Sequence, residues 1–174
     1  MISSLALVIN TKPILEKDTL VELFTLEYGR IRAFAKYSQS KKPRFGGQLN
    51  TFNLCNIQFN RRGDSFTISQ INVVSSFEGI KKQYEKINVA YQFLYIIKTM
   101  TQINHENKEM FMILLDYLKE LNENNAQDLH QFKLKFYETV LQAEGVLATS
   151  VKLNEKELQK MLESYTNIKF RDVT

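Results

Sequence analysis

The chain has 174 residues, a formal net charge of +4 and a hydrophobic content of 44%, values that are ordinary for a globular protein and exclude wholesale disorder. The single cysteine, Cys55, excludes an internal disulfide framework and a four-cysteine zinc site. No apolar run approaches the roughly 20 residues that a membrane-spanning helix needs, and the first residues lack the pattern of a signal peptide. We therefore expect a soluble cytoplasmic protein with no membrane partner.

The positive charge lies entirely in the N-terminal part of the chain. Residues 1–80 hold ten basic and six acidic side chains, whereas residues 81–174 hold thirteen of each. Residues 28–62 contain no acid and interleave basic side chains with aromatic ones. Because cations neutralise phosphates and rings stack on unpaired bases, this composition is typical of a groove for single-stranded nucleic acid. A solvated basic face beside ordinary core aromatics is the alternative interpretation.

The first 76 or so residues have the pattern of β-structure. Segments rich in Val, Ile, Phe and Thr alternate with turn signals such as Lys12-Pro13 and Gly46-Gly47. They predict five strands, near residues 4–10, 19–26, 30–36, 52–60 and 65–74. Five short strands in fewer than 80 residues favour a closed barrel, because an open sheet would leave exposed edges. The turn at residues 61–64 predicts a hairpin between the last two strands.

Alternation along residues 30–36 predicts a strand with two different faces. Its apolar face consists of Ile31, Ala33 and Ala35. Its opposite face consists of Arg30, Arg32, Phe34 and Lys36. Because successive side chains of a strand point to opposite sides, the three cations and the ring are expected to project from one surface. A ring among cations favours a stacking or interface role for Phe34, while burial through a bulge or a partner helix stays open.

Further candidate DNA-binding residues lie in the basic loop at residues 37–47 and in the predicted hairpin. The loop is interrupted by a proline and two glycines, which favours a surface loop that binds a phosphate backbone, although an ordinary linker is the alternative. The candidates from these two segments are Lys41, Lys42, Arg44, Arg61 and Arg62, of which the hairpin pair is the weaker. The remaining rings, Phe45, Phe52 and Phe59, fit a core or hinge position better than a stacking position.

From about residue 79 the hydrophobic period changes from 2 to 3.6, which predicts helices. Four are expected: one from about residue 79, then 107–121, 126–144, and one from Asn154. Gly145 is a typical stop for the third, and Asn154 with Glu157 predicts a capping box at the fourth. The apolar residues at helical spacing are interpreted as core. The sequence thus predicts an α+β protein, with a five-stranded barrel in residues 1–78 and an α-helical bundle in residues 79–174.

No residue pattern points to catalysis. The chain lacks glycine-rich phosphate loops and the HExxH and GxSxG motifs. His105 and His130 have no partners at ligand spacing, so we expect neither a metal nor another cofactor. Cys55 shares the apolar face of its predicted strand with Ile57 and Phe59 and is expected to be buried. Since Asp18, Glu22 and the acids near them form no recognisable nuclease set, the sequence favours a binding protein over an enzyme.

Two runs of residues carry a resemblance to a known family. DTLVELFT at Asp18–Thr25 is followed by YGRIRAFAK at Tyr28–Lys36. The pattern continues through Lys41, Lys42, Arg44, Gly46, Gly47, Leu49 and Phe52. In order and spacing, residues 5–80 resemble the N-terminal domain of the bacterial DNA repair protein RecO family. The helical half is similar in layout only.

The resemblance implies an oligonucleotide-binding (OB) barrel followed by a helical domain. It also implies a nucleoid-associated recombination mediator that binds single- and double-stranded DNA and anneals complementary strands. With its partner RecR, such a mediator helps to load the RecA recombinase onto DNA coated with single-strand-binding protein. The basic barrel face of the family falls here on Arg30, Arg32, Lys36, Lys41, Lys42 and Arg44.

Two features depart from the family, and other functions stay open. Many members carry a four-cysteine zinc motif after the third helix of the helical domain, whereas residues 145–152 contain no cysteine. The chain also ends soon after the fourth helix, which indicates a short, zinc-free variant or a chain without its last helices. The alternatives are a protein–protein scaffold, suggested by the strongly apolar second helix, and an RNA-binding OB-fold protein, since a 2′-hydroxyl contact leaves no mark in a sequence.

Overall fold

The computed structural model describes residues 2–14, 17–39, 44–123 and 128–166. These residues form two compact units. The first comprises the described residues up to Phe77 together with Thr101–Phe111, and the second comprises Glu78–Met100 and the described residues from Met112 onward. The predicted domain boundary between residues 78 and 79 stays a prediction.

Five strands form the first unit: β1 (Ile2–Ile14), β2 (Asp18–Thr25), β3 (Gly29–Ala35), β4 (Leu54–Arg62) and β5 (Ser65–Ser75). They close into a barrel in the order β1-β2-β3-β5-β4. The β3–β5 pair is parallel, and the other neighbouring pairs are antiparallel. This is the topology of a five-stranded OB-fold, so the predicted barrel is confirmed.

The barrel is filled by side chains that alternate along its strands. The inward residues of β3 and β4 include Ile31, Ala33, Ala35, Cys55, Ile57 and Phe59, all 0% exposed. Phe45 and Phe52, which flank a short 3-10 helix at Gly46–Leu49, are also buried. The expectation that these rings and Cys55 belong to the core is therefore confirmed. Alternation succeeds here because burial on one face of a strand imposes a period of two.

The predicted hairpin joins β4 to β5. Arg62 pairs with Ser65 across a two-residue connection. The first residue of this connection, Gly63, has φ of +58°. Glycine adopts this backbone conformation at no steric cost, and tight hairpin turns require it. The hairpin therefore places Arg61 and Arg62 at one end of the barrel.

The segment Thr101–Phe111 packs with the barrel, a placement that the sequence pattern did not indicate. Ile103 forms an isolated parallel bridge with Arg30 of β3. The backbone N–H of Asn104 donates to the Arg30 carbonyl over 2.7 Å. The Phe111 ring packs edge-on against Phe24 of β2, with ring centroids 5.5 Å apart. The start of β3 is thus covered by chain that lies far away in sequence.

The described chain after the barrel strands forms helices: α1 (Glu78–Lys81), α2 (Tyr84–Met100), α3 (Lys108–Glu123), α4 (Leu129–Ala143) and α5 (Glu155–Thr166). They lie in the second unit, except that α3 up to Phe111 belongs to the first. In the second unit the Phe93 and Phe136 rings stack with centroids 3.9 Å apart. Tyr117 meets the Phe136 ring edge-on at 5.1 Å. The core interpretation is therefore confirmed for these rings, but it is wrong for Tyr84 and Tyr91 of α2 and Met112 of α3, which are exposed because they lie on the outward side of their helices. The α+β class is confirmed.

Local signals set the ends of α4 and α5. At α5 the Asn154 Oδ1 accepts from the Glu157 N–H over 3.1 Å, and Glu157 Oε2 accepts from the Asn154 N–H over 2.9 Å. This reciprocal pair is the predicted capping box. Gly145 follows α4 with φ of +70°, as expected of a helix stop.

In the ranges that the structure describes, no helix has the length and apolar character to cross a membrane.

Candidate nucleic-acid interface

Two of the predicted site residues lie on the outer face of β3, and a third lies in the turn directly after it. Arg32, Phe34 and Lys36 are exposed, while the residues between them are buried in the barrel. The Phe34 side chain is a large apolar group with 38% exposure. Alternation therefore separated the two faces of this strand correctly from Ile31 to Lys36. A partly exposed ring between two cations is available to a planar ligand such as a base.

Arg30 does not share this exposed surface, and the expectation that it projects with the other cations is wrong. It is 8% exposed. Its Nη1 lies 2.6 Å from Glu22 Oε1, its Nε donates to Thr101 Oγ1 over 3.0 Å, and its Nη2 donates to the Thr101 carbonyl over 2.6 Å. The guanidinium is withdrawn from solvent because β2 and the segment after α2 both supply acceptors for it. A buried cation needs such partners.

The strand register places further residues beside Phe34. Leu20 of β2 pairs with Phe34 on one side and with Lys12 of β1 on the other. One row therefore runs across the outer face from Lys12 through Leu20 to Phe34. The next row contains Asn10, Glu22 and Arg32. A cleft of about 240 Å³ is lined by Lys12, Leu20 and all three residues of this second row, including the acid Glu22.

Lys12 reaches the outer face because β1 contains a bulge. Before it, Ala6 and Val8 point into the barrel core. The register then passes from Val8 to Asn10 across successive partners on β2, so that Ile9 is the extra residue. An extra residue reverses the parity of the residues after it, and Lys12 is exposed. Lys12 was not among the predicted site residues because Lys12-Pro13 has the composition of a turn, whereas β1 continues through it to Ile14.

The basic loop after β3 is described only in part. Lys41 and Lys42 lie outside the described residues. Arg44 is exposed, and its Nη2 donates to the Ser69 carbonyl of β5 over 2.8 Å. Its guanidinium also lies 5.1 Å from the centre of the Phe45 ring, within cation–π range. Arg44 is thus held against the barrel at the surface.

Both hairpin arginines are exposed, but Arg61 already has neighbours. Its Nε donates to the Gly63 carbonyl over 2.9 Å, and its guanidinium lies 5.4 Å from the centre of the Phe66 ring. Asp64 Oδ1 lies 4.0 Å from Nη2 of Arg61, a distance at which an exposed pair contributes little. The nearby acid lowers the local positive charge at this end of the barrel.

The face assembled around Phe34 has the chemistry of a binding surface. Cations stand beside a ring, and two acids of β2 have the same parity as Leu20: Glu22, which is paired with Arg30, and Asp18, whose Oδ1 accepts from the Tyr37 N–H over 2.9 Å. Elsewhere His130 Nε2 lies 3.0 Å from Glu155 Oε2, and His105 is exposed. Among the residues that the structure describes, no three His, Cys, Asp or Glu side chains are grouped so that they could hold a metal ion.

Residues 1–77 match the protein family described as "Recombination protein O N terminal". The whole barrel is thus similar to the N-terminal domain of the RecO family. The match ends where β5 and the short connection after it end, and it covers every strand of the OB-fold. The resemblance that the sequence carries at residues 18–36 is thereby confirmed.

Relatives named DNA repair protein RecO extend the similarity beyond the barrel. The RecO protein of Caldanaerobacter subterraneus subsp. tengcongensis is 27% identical over 75% of this chain and 54% of its own length. That of Pelobacter propionicus is 29% identical over 71% of this chain and 50% of its own length. That of Clostridium novyi is 26% identical over 80% and 54%, respectively. The chain spans about half the length of these curated RecO relatives.

Proposed function

We propose that this protein is a DNA-binding recombination mediator in DNA repair that acts by binding rather than by catalysis. The observation that carries the proposal is the exposed Phe34 between Arg32 and Lys36 on the outer face of a RecO-type OB barrel. Its relatives are named DNA repair proteins. A cytoplasmic, nucleoid-associated location is part of the proposal.

The spacing of the β3 face suits an extended single strand. Side chains two residues apart on one face of a strand are separated by about 6.6 Å, so Arg32 lies one such step from Phe34. Lys36 follows in the turn after β3, which supplies a second cation for a neighbouring phosphate. A base stacked on the Phe34 ring would bring its own phosphate towards these cations. Stacking of this kind tolerates any base, because every base has a flat face.

Lys12 widens the face towards β1. Neighbouring strands lie about 4.8 Å apart, so Lys12 and Phe34, two strands apart in one row, are separated by about 10 Å. Leu20 between them offers an apolar surface next to the ring. We propose Lys12 as a phosphate contact in addition to the candidates from the loop and the hairpin, Lys41, Lys42, Arg44, Arg61 and Arg62.

Arg30 takes a different part in this proposal. Glu22 lies opposite Arg32 in the register of β2 and β3, where a free carboxylate would repel a phosphate. The ion pair with Arg30 neutralises this carboxylate. Arg30 therefore supports the electrostatics of the face without touching the nucleic acid.

The mediator part of the proposal concerns partners. The protein would bind single- and double-stranded DNA and anneal complementary strands. It would act together with RecR and with single-strand-binding protein, and indirectly with the RecA recombinase. A strand-annealing assay on complementary oligomers coated with single-strand-binding protein tests this part: acceleration is expected, and an unchanged rate would contradict it.

The DNA-binding part is tested by the triple variant Lys12→Gln/Arg32→Gln/Lys36→Gln. Binding to a single-stranded oligomer of any sequence should weaken about equally. The plot of log affinity against log salt has a negative slope, and its magnitude should decrease by about 2, since each lost phosphate contact removes about 0.7. The control Lys119→Gln/Lys135→Gln/Lys156→Gln changes the charge equally at exposed positions on the helices and should bind as wild type. Equal affinity of the first variant and the wild type would refute the site.

The same titration with RNA of matched sequence decides between the two nucleic acids. The face offers a ring and cations, and neither distinguishes ribose from deoxyribose. Tighter binding of RNA than of DNA at equal salt would favour the RNA-binding alternative over repair.

A further inference from the structure

A second concave site lies on the other side of β1, over the outer faces of β1, β4 and β5. It is a cleft of about 390 Å³, which falls in the range of about 300–1,000 Å³ typical of ligand pockets. Its chemistry differs from that of the face around Phe34. The side chains that supply it are hydroxyls and amides, principally Ser3, Asn56, Gln58, Gln70 and Asn72.

The strand register aligns these amides in two rows. Gln58 of β4 pairs with Gln70 of β5 on one side and with Ser3 of β1 on the other. Asn56 pairs with Asn72 in the adjacent row. Side chains directly opposite each other on neighbouring strands have Cβ atoms about 5 Å apart. Four amide groups therefore converge on one small area, each with both donors and an acceptor.

Two irregularities in β5 bracket this area. The register passes from the Gln58–Gln70 pair to a pair between Phe59 and Ile68, which leaves Ser69 as an extra residue. A second shift beyond Asn72 leaves Val74 as an extra residue. Bulges bend and twist the strand that contains them and are frequent beside functional sites. The amide rows thus occupy a stretch of β5 that is bent at both ends.

The charge of the cleft selects its ligand. Among the described residues that line it, Glu27 is acidic and none is basic. Ser4 donates a hydrogen bond from its hydroxyl to Glu27 Oε2. A phosphate would meet a carboxylate and no cation here, so the cleft disfavours anions. It favours a neutral ligand that offers hydrogen-bond donors to carboxylate and amide oxygens.

We propose that this cleft binds an unpaired nucleobase by its edge and prefers adenine, with its 6-amino group, and cytosine, with its 4-amino group, over thymine. Asparagine and glutamine can form paired hydrogen bonds with adenine, and a carboxylate can accept from the amino group of cytosine. Thymine offers no amino group. The inference rests on the proposed function, because the base arrives as part of a bound strand. The cleft would supply a base preference that the face around Phe34 does not have.

Competition binding with homopolymers tests the preference. Oligomers of dA, dC and dT of equal length are titrated at moderate salt against the wild type, Asn56→Ala/Asn72→Ala and Gln58→Ala/Gln70→Ala. The quantity compared is the affinity ratio of dA or dC to dT in each protein, because homopolymers differ in their own stacking. Each double variant should lower this ratio by about fivefold or more relative to the wild type, with dT affinity retained.

The control is Asn88→Ala/Gln131→Ala, which removes two exposed amides from the helices and should leave the ratio as in the wild type. Circular dichroism and an unchanged dT affinity show that a variant is folded. Wild-type ratios in both cleft variants would overturn the inference and leave the proposed function intact. A wild-type protein with no measurable affinity for any of the three oligomers would overturn both.

Discussion

Arg30 Nη1 lies 2.6 Å from Glu22 Oε1, and each side chain is 10% exposed. Glu22 is diagonal to Arg30 across the β2–β3 pair, since its direct partner in the register is Arg32. Two more donors of the guanidinium bind Thr101. Arg30 thus binds both an acid of the barrel and Thr101, which lies 71 positions later in the chain.

Removing one partner of this pair should destabilise the barrel. Arg30→Met leaves the Glu22 carboxylate buried without its cation, which costs about 3–5 kcal/mol of unfolding free energy. The double variant Arg30→Met/Glu22→Leu should recover part of that loss, because an apolar pair of similar volume avoids the buried charge. Urea unfolding followed by circular dichroism measures both. A double variant less stable than Arg30→Met would contradict this account of the pair.

Gly29 should tolerate no side chain. Its φ is +65°, and a Cβ at this position would lie 1.7 Å from the His105 carbonyl oxygen. Gly29→Ala must therefore displace the segment after α2, and we expect faster hydrogen exchange at the Asn104 amide together with a lower melting temperature. Gly63→Ala is the matched control, since Gly63 has φ of +58° with nothing within 4 Å of a Cβ. It should cost only the about 1–2 kcal/mol of the backbone conformation.

Phe34→Ala should weaken single-strand binding without changing its salt dependence. Loss of one base–ring contact costs about 1–3 kcal/mol of binding free energy, whereas the number of phosphate contacts stays the same. Fluorescence anisotropy at several salt concentrations separates the two quantities. Phe34→Tyr keeps a flat ring and should bind nearly as wild type. A parallel loss in both variants would point to a role other than stacking.

Alkaline pH should destabilise the helical unit through Tyr137. Burial raises the pKa of the Tyr137 phenol well above its ordinary value of 10.0. The unfolded chain therefore loses this proton first, so the stabilisation is complete below about pH 10 and falls as pH rises towards the folded pKa. Urea midpoints between pH 8 and 11 should fall less steeply for Tyr137→Phe than for the wild type. Identical slopes would show that this phenol does not contribute.

The strands, the hairpin and the capping box were predictable because their causes are local. Alternation reports burial on one side of β3, and Asn154 and Glu157 cap a helix three residues apart. The burial of Arg30 depends on Thr101, which lies 71 positions away, and no local pattern in the strand predicts it. Lys12 was missed for another reason, because Lys12-Pro13 has the composition of a turn although β1 continues through it to Ile14.

The bulge at Ile9 makes the number of residues in β1 as important as their identity. Ala6 and Val8 enter the core, and Asn10 and Lys12 stand outside, although all four have even numbers. Loss of Ile9 would remove the extra residue and leave the faces as they are, but pairing of the full-length strand with β2 without the bulge would exchange its faces from Asn10 onward. Lys12 would then point towards the apolar interior. Relatives that conserve this surface are therefore expected to have either the bulge or one residue fewer in β1 at this point.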